Sequence, residues 1–221
     1  MTEAEWLACA DPEAMLVFVS GRATKRRLRL VACGCCRQLW ELMCDERSQR
    51  AVEASEQFAD QLLPASLLDR LAGEAEEAFE DTATGYYKGD VTTAAVAGAA
   101  SYASSPHLDV NVLLNAMGSA AEAFPDGEAA ERCNQAAILR DTFGNPFRSV
   151  ALDLSCLTWE GGTVAKLAQG IYDERAFAHL PILADALEEA GCDNADILAH
   201  CRSGGEHVRG CWVVDLLLNK K

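Results

Sequence analysis

The sequence lacks any long hydrophobic run, and this absence bounds where the chain can reside. No apolar stretch approaches the roughly 18 residues that cross a bilayer, so no membrane-spanning helix is predicted. The N-terminus opens with Thr2-Glu3-Ala4-Glu5, which is acidic and lacks the apolar region of a secretory signal. We therefore expect a cytoplasmic protein without membrane contact, whose cysteines remain reduced thiols.

Strand patterns and the common catalytic motifs are also missing. β-branched runs are few and apolar residues rarely alternate with polar ones, which argues against a sandwich or a Rossmann fold. The chain contains no P-loop, no GxSxG, no HExxH and no dinucleotide-binding fingerprint. The sequence therefore leaves enzymatic activity open and favours a protein that is not an enzyme.

Basic residues are scarce: 19 Lys and Arg stand against 34 Asp and Glu, for a net charge of −15. An acidic surface repels phosphates, so nucleic acid is an unlikely partner. The exception is an arginine-rich stretch over residues 22–50. We expect its arginines to form the solvated face of a helix and to pair with acidic neighbours.

Alanine, leucine and glutamate dominate the chain, and helix start signals recur along it. Thr2 with Glu5 forms a capping box, Asp11-Pro12 is a second start, and Thr24 opens a longer amphipathic helix. A loop is predicted over residues 85–90 and a turn at 125–127. These patterns predict an all-α fold, an irregular array of about ten helices.

The helical signals divide the chain into three segments. Residues 1-63 form an N-terminal helical segment that contains the arginine-rich helix. Residues 64-131 are an acidic, weakly specified helical middle, typical of an insert or spacer. Residues 132-221 form a C-terminal helical segment, which we expect to pack with residues 1-63 as one domain.

Ten cysteines are the richest source of chemistry in the chain. The cluster Cys33, Cys35, Cys36 and Cys44 lies in or beside one predicted helix and has no second CxxC pair, so it does not match a zinc ribbon. We expect most of the cysteines to be small buried apolar residues.

The C-terminal third holds a second cluster, in which thiols and imidazoles alternate. Two neighbouring helices could bring them together as ligands for zinc, which takes sulfur and nitrogen in a tetrahedron. The candidate metal ligands are Cys192, His200, Cys201, His207 and Cys211. Two alternatives stay open: the cysteines are core residues and the histidines bond to backbone carbonyls, or Cys211 is a nucleophile activated by a histidine. If the cysteines are core residues, no cofactor is expected. If the five residues bind a metal, the expected cofactor is zinc.

The final predicted helix, from Glu206 to Leu218, is apolar on nearly every side, with Asp215 the one polar residue after Trp212. Such a helix is buried either in its own domain or in a partner. This pattern indicates a non-catalytic protein–protein interaction module or adaptor, whose partner is another protein. A zinc-stabilised helical domain is the first alternative, and a cysteine-dependent enzyme is the second.

Several motifs resemble a large bacterial family of paralogous, uncharacterised proteins. The matching stretches are the opening Met1 to Leu7, Cys33-Gly34-Cys35-Cys36-Arg37, Asp45 to Ser48, Gly144-Asn145-Pro146-Phe147-Arg148, Ile171 to Arg175, Leu183 to Gly191 and His207 to Leu218. The opening also looks like the short repeat-companion segment that heads other proteins in large bacterial genomes. The resemblance implies a bacterial, cytoplasmic setting and brings no activity with it.

Overall fold

A computed structural model describes residues 1–84, 90–124 and 127–220, with the side chains of residues 83 and 84 left out. Within these ranges the chain is all-α, with no strand, which confirms the predicted class. The thirteen α-helices are α1 Glu3–Ala8, α2 Pro12–Val19, α3 Lys25–Gln38, α4 Glu46–Ala59, α5 Ala65–Thr84, α6 Val91–Ser104, α7 Val110–Glu122, α8 Glu128–Phe143, α9 Ser155–Thr158, α10 Thr163–Glu174, α11 Leu180–Glu189, α12 Ala195–Arg202 and α13 Trp212–Leu217. Residues 85–89 of the predicted loop and residues 125–126 of the predicted turn lie outside the described residues. None of the described helices could span a membrane.

The predicted helix starts are confirmed at the N-terminal end of the chain. Thr2 and Glu5 make both hydrogen bonds of the capping box, and Asp11 caps α2 with Pro12 in its first turn. Thr24 accepts a hydrogen bond from the amide of Arg27 and so begins α3. Side chains that accept from free amides replace the hydrogen bonds that the first turn of a helix cannot make internally.

The larger hydrophobic core takes side chains from α1 to α4 and from α6 to α8, from Trp6 to Leu139, with Val208 added from the C-terminal segment. The alanine-rich α6 lies within it: Ala99 and Ala100 are fully buried. Small side chains let helix backbones approach closely, so the middle of the chain packs tightly despite its weak hydrophobic pattern. Helices α6 and α7 of this segment therefore form part of the larger core.

A smaller core gathers the side chains of α9 to α13, from Cys156 to Leu217. The terminal helix α13 supplies Val213, Val214 and Leu217 to it, each at most 3% exposed. The apolar character of the C-terminus is thus explained by burial within the chain itself.

A buried polar network joins the two cores. Arg26 of α3 donates to Asp60 after α4 and to Asp215 of α13, with N–O distances of 3.0 Å to each. The Tyr172 hydroxyl accepts from Arg26 at 2.9 Å and donates to Asp60 at 2.6 Å. Lys220 adds a second cation 3.3 Å from Asp60.

The arginines of α3 differ from the solvated face that the sequence predicts. Arg26 is only 10% exposed at its side chain. Arg29 is buried and donates to the Ser55 hydroxyl and to the Ser105 carbonyl. Their guanidinium groups satisfy polar atoms from distant parts of the chain, which a sequence pattern confined to one helix does not reveal.

Glu131, in the first turn of α8, is buried, and among the described residues its carboxylate accepts hydrogen bonds from the side-chain amides of Gln135 and Asn134. Burial raises its pKa, although these two amides act in the opposite direction. When the pKa of a carboxyl is higher in the folded state than in the unfolded state, the protein loses stability as pH rises from the unfolded pKa to the folded pKa. We therefore expect Glu131→Gln to raise the free energy of unfolding by about 1 kcal/mol at pH 7.

The same substitution should have little effect near pH 3, below the ordinary pKa of a glutamate, where the carboxyl is protonated in both states. Urea unfolding at the two pH values measures the difference. Glu128→Gln, in the same helical turn but exposed, is the control for the helix dipole and should show no gain. An equal gain at both pH values would contradict the interpretation.

Candidate metal centre

Four side chains from separate elements converge beside the smaller core. Asp141 comes from the last turn of α8, His200 from α12, His207 from the segment after α12, and Cys211 from the N-cap position of α13. One ligand atom from each, an oxygen, two nitrogens and a sulfur, lies within 4.8 Å of all the others. Asp141 and Cys211 are buried, and the two imidazoles are partly buried.

The distances resemble the edges of a metal-coordination tetrahedron. Asp141 Oδ1 lies 2.6 Å from His207 Nδ1 and 3.1 Å from His200 Nε2. His200 Nε2 lies 3.2 Å from Cys211 Sγ. A tetrahedral zinc ion with bonds of about 2.0 Å to nitrogen and oxygen and about 2.3 Å to sulfur separates its ligands by about 3.3 to 3.5 Å. A small expansion of the group would admit such an ion.

Neighbouring groups orient two of the ligands. The backbone amide of Val208 donates to Asp141 Oδ2 at 2.8 Å, which leaves Oδ1 to point at the histidines. His207 Nε2 lies 3.4 Å from the Ser203 hydroxyl and 3.5 Å from its carbonyl oxygen, so Nδ1 is the nitrogen turned toward the cluster. Outer partners of this kind fix the ring orientation of metal-binding histidines.

The charges of the cluster balance each other. Burial by itself would raise the pKa of Asp141, but hydrogen bonds from His200 and His207 hold it below its usual value. Burial by itself would lower the pKa of His207, yet the bond to Asp141 raises it. Burial, with the Asp141 charge, raises the pKa of the Cys211 thiol well above its ordinary value. Without a cation at its sulfur, Cys211 is therefore a neutral thiol.

The turn before Cys211 depends on Gly210. Its φ of +95° lies in the region that favours glycine, and a Cβ there would lie 3.0 Å from the Leu30 side chain on α3. Gly210→Ala should lower the free energy of unfolding by roughly 2 to 4 kcal/mol, because it adds backbone strain and overpacking together. Chemical denaturation measures the loss.

Gly191→Ala is the matched control for Gly210→Ala. Gly191 has a φ of +89°, but a Cβ there would meet nothing within 4 Å. The free energy of unfolding of this variant should therefore fall by about 1 kcal/mol, from the backbone strain alone. Equal losses for the two variants would contradict the close contact between Gly210 and Leu30.

The structure brings together three of the five sequence-predicted ligands: His200, His207 and Cys211. The other two, Cys192 and Cys201, are buried in the smaller core and lie outside the four-residue group. The fourth converging side chain, Asp141, was not identified from the sequence. It lies 66 residues before His207, on a helix whose polar residues resemble a solvated face.

The last helix is shorter than predicted, which changes how the ligands meet. The chain is irregular from Ser203 to Cys211, and α13 begins only at Trp212. A helix that began at Glu206 would have put His207 and Cys211, four residues apart, on one face; in the structure they do not share a helix. Gly204, Gly205 and Gly210 interrupt the helix pattern in this segment, and glycine favours turns over helix interiors.

Comparison with known proteins returned no counterpart for this site. No protein-family model, no curated protein and no solved structure matches the chain. The resemblance of the motifs to a bacterial paralogous family stays a prediction. The function of the four converging side chains is therefore argued from their own chemistry.

Proposed function

We propose that this protein is a zinc-stabilised, non-catalytic helical domain. Asp141, His200, His207 and Cys211 would be the four ligands of one zinc ion. The observation that carries the proposal is the convergence of their four ligand atoms within 4.8 Å of one another. This set contains three of the five residues that the sequence suggested as ligands, and it adds a carboxylate.

The donor set favours zinc over the common hard cations. Calcium and magnesium prefer oxygen ligands, whereas thiolate and imidazole suit zinc and its transition-metal neighbours. Zinc accepts sulfur, nitrogen and carboxylate oxygen in a four-coordinate tetrahedron, with no preference of its own for a planar site. Binding would convert the Cys211 thiol to a thiolate and release its proton.

The site has the character of a structural centre. Structural zinc sites take four protein ligands, whereas catalytic sites keep a position for water or substrate. Here four ligands are available, and Cys211 and Asp141 are no more than 3% exposed. A substrate approaching from solvent would find both of these groups covered.

The same geometry disfavours a cysteine nucleophile. In a Cys–His–Asp arrangement, the carboxylate orients the histidine through the nitrogen opposite to the one that faces sulfur. Here Asp141 Oδ1 and Cys211 Sγ both approach Nε2 of His200. Several donors directed at one point are typical of a metal centre. Burial also keeps the Cys211 thiol protonated by raising its pKa.

Zinc at this position would fasten the two cores to each other. Asp141 belongs to α8 of the larger core, whereas Cys211 belongs to the smaller core. A structural ion leaves the outer surface available, so the protein would act as a scaffold that binds another protein. Because the apolar face of α13 is buried, the partner surface would lie elsewhere.

The metal content of the purified, untagged protein tests the proposal. We expect about one zinc per chain in the parent protein and in Cys156→Ala, and a large loss of zinc in Cys211→Ala. Cys156 is the matched control, since it is a buried thiol of the smaller core outside the ligand group. Failure of the parent protein to bind either zinc or cobalt in a direct titration would refute the proposal.

A further inference from the structure

Arg175, which ends α10, combines two energetically unfavourable features. Its φ of +52° is left-handed, a conformation in which glycine and asparagine are favoured over arginine. Its Nε atom is buried and has no hydrogen-bond partner among the described residues. Neither feature is required by the helix end, which an asparagine would form at lower cost. Strain of this kind at a charged residue is a reason to look for a ligand.

The Arg175 side chain lies where three surface clefts meet, with volumes of about 170, 370 and 470 Å³. Arg37 lines the first of these clefts, and Arg209 lines the first and the second. Arginines from α3, from the end of α10 and from the segment before α13 therefore line a group of clefts that all border Arg175. The side chain of Arg175 remains 34% exposed and can be reached from solvent.

The carboxylates nearby do not neutralise all three arginines. Arg37 and Arg175 share one buried carboxylate, that of Glu56, which also makes two hydrogen bonds with Arg37. Arg209 stacks 5.0 Å from the Tyr172 ring and lies 3.4 Å from two backbone carbonyls. No described carboxylate lies within 4.0 Å of it. Glu53 and Glu206 line the clefts without pairing with these arginines.

A glycine-containing loop provides further donors at the same place. Ser203, Gly204, Gly205 and Glu206 line the largest of the three clefts together with Arg175. In the part of the chain that the structure describes, the backbone amides of Gly204, Gly205 and Glu206 donate no hydrogen bond. Backbone amides and arginine guanidiniums are the usual donors to phosphate oxygens.

We propose that this junction of clefts binds the phosphate group of a small molecule, with Arg175 as the principal contact and Arg209 as a second. Turning the Arg175 guanidinium toward the cleft would give its unpaired Nε a phosphate oxygen to bond. The net charge of −15 disfavours a polymeric anion such as RNA, because the rest of the surface would repel it. The proposal does not depend on zinc, although His207 also borders two of the clefts.

Thermal unfolding with inorganic phosphate at constant ionic strength tests the site. In the parent protein we expect a saturable rise in melting temperature of about 5 °C or more. Arg175→Asn should abolish this rise, while its own melting temperature without phosphate stays within about 3 °C of the parent value, because asparagine suits the left-handed backbone. Arg175→Asn would thus lose phosphate binding while keeping the stability of the parent protein.

Arg70→Asn is the control with the same change of charge. Arg70 lies on α5, pairs with Glu74 and borders none of the three clefts, so this variant should respond to phosphate like the parent. No saturable rise in the parent, or an equal rise in all three proteins, would overturn the proposal. Succinate at the same ionic strength tests whether a carboxylate binds equally well. A rise in melting temperature with succinate as large as that with phosphate would overturn the assignment to phosphate.

Discussion

Removing zinc from the loaded protein is expected to lower its melting temperature by about 10 to 20 °C. Binding at a structural zinc site is part of the folding free energy, and a loss of about 5 kcal/mol corresponds to this shift in a chain of this size. The expected loss is large because a zinc ion at this site would join Asp141 to Cys211 and so hold the larger core against the smaller one. Differential scanning calorimetry before and after chelation measures it.

A variant separates the effect of the metal from the effect of packing. Cys211→Ala should have a melting temperature close to that of the chelated parent, and a chelator should lower it no further. Cys156→Ala should lose only the packing of a buried sulfur and should still respond to the chelator. A parent protein that is insensitive to a strong chelator, beside a destabilised Cys211→Ala, would make Cys211 a core residue and nothing more.

Arg26→Met is expected to lower the free energy of unfolding by about 3 to 5 kcal/mol, a loss typical of a broken buried ion pair. The substitution leaves the Asp60 and Asp215 carboxylates, each 2% exposed at the side chain, without the cation between them. Lys220 contacts Asp60 and offsets part of the loss there, but it makes no ion pair with Asp215 in the described structure. Urea denaturation at pH 7 gives the value.

Arg132→Met is the matched control for Arg26→Met. Arg132 also pairs with two carboxylates, those of Asp11 and Glu13, but each of these is more than half exposed. Exposed pairs are worth at most about 1 kcal/mol, so the loss should be small. The double variant Arg26→Met with Asp215→Leu should recover part of the stability. A loss below 1 kcal/mol for Arg26→Met would exclude a stabilising role for the network.

The helices that the sequence predicted well are those whose start signals are local. Thr2, Asp11 and Thr24 each cap a helix at the expected residue, because the cap and the amides it satisfies lie within three residues of each other. Near the C-terminus, Asp193 and Asn194 are both capping residues by type, and the structure uses Asn194 to cap α12. Two adjacent residues of equal capping ability leave the choice to tertiary contacts.

The residues of the candidate metal centre were predicted in part, for a related reason. His200, His207 and Cys211 are uncommon residues close together in the sequence, so composition indicates them. Asp141 is one of 34 acidic residues, and only its long-range contacts with His207 and Val208 distinguish it. Cys192 and Cys201 share the residue type of a ligand, but they are used as apolar side chains. Residue type and spacing do not separate these two uses of a thiol.

The arginines of α3 show the same limit. A helix that carries both a leucine stripe and many arginines predicts an apolar face and a solvated one. In the structure, Arg26 instead contacts partners that lie 34 to 189 residues away in the sequence. Arg29 contacts partners that lie 26 to 77 residues away. Those partners come from helices whose positions are set by the packing of the whole chain.

The order of the two cores along the chain has a consequence for synthesis on the ribosome. Apart from Val208, the larger core is complete once Leu139 has been made. His200 follows Asp141 by 59 residues (200 − 141), which at about 5 to 20 residues per second takes about 3 to 12 s. During that interval the nascent chain presents Asp141 on a finished core before the two imidazoles and the thiol exist. Zinc binding at this site would therefore be a late step of biogenesis, after the N-terminal part of the fold has formed.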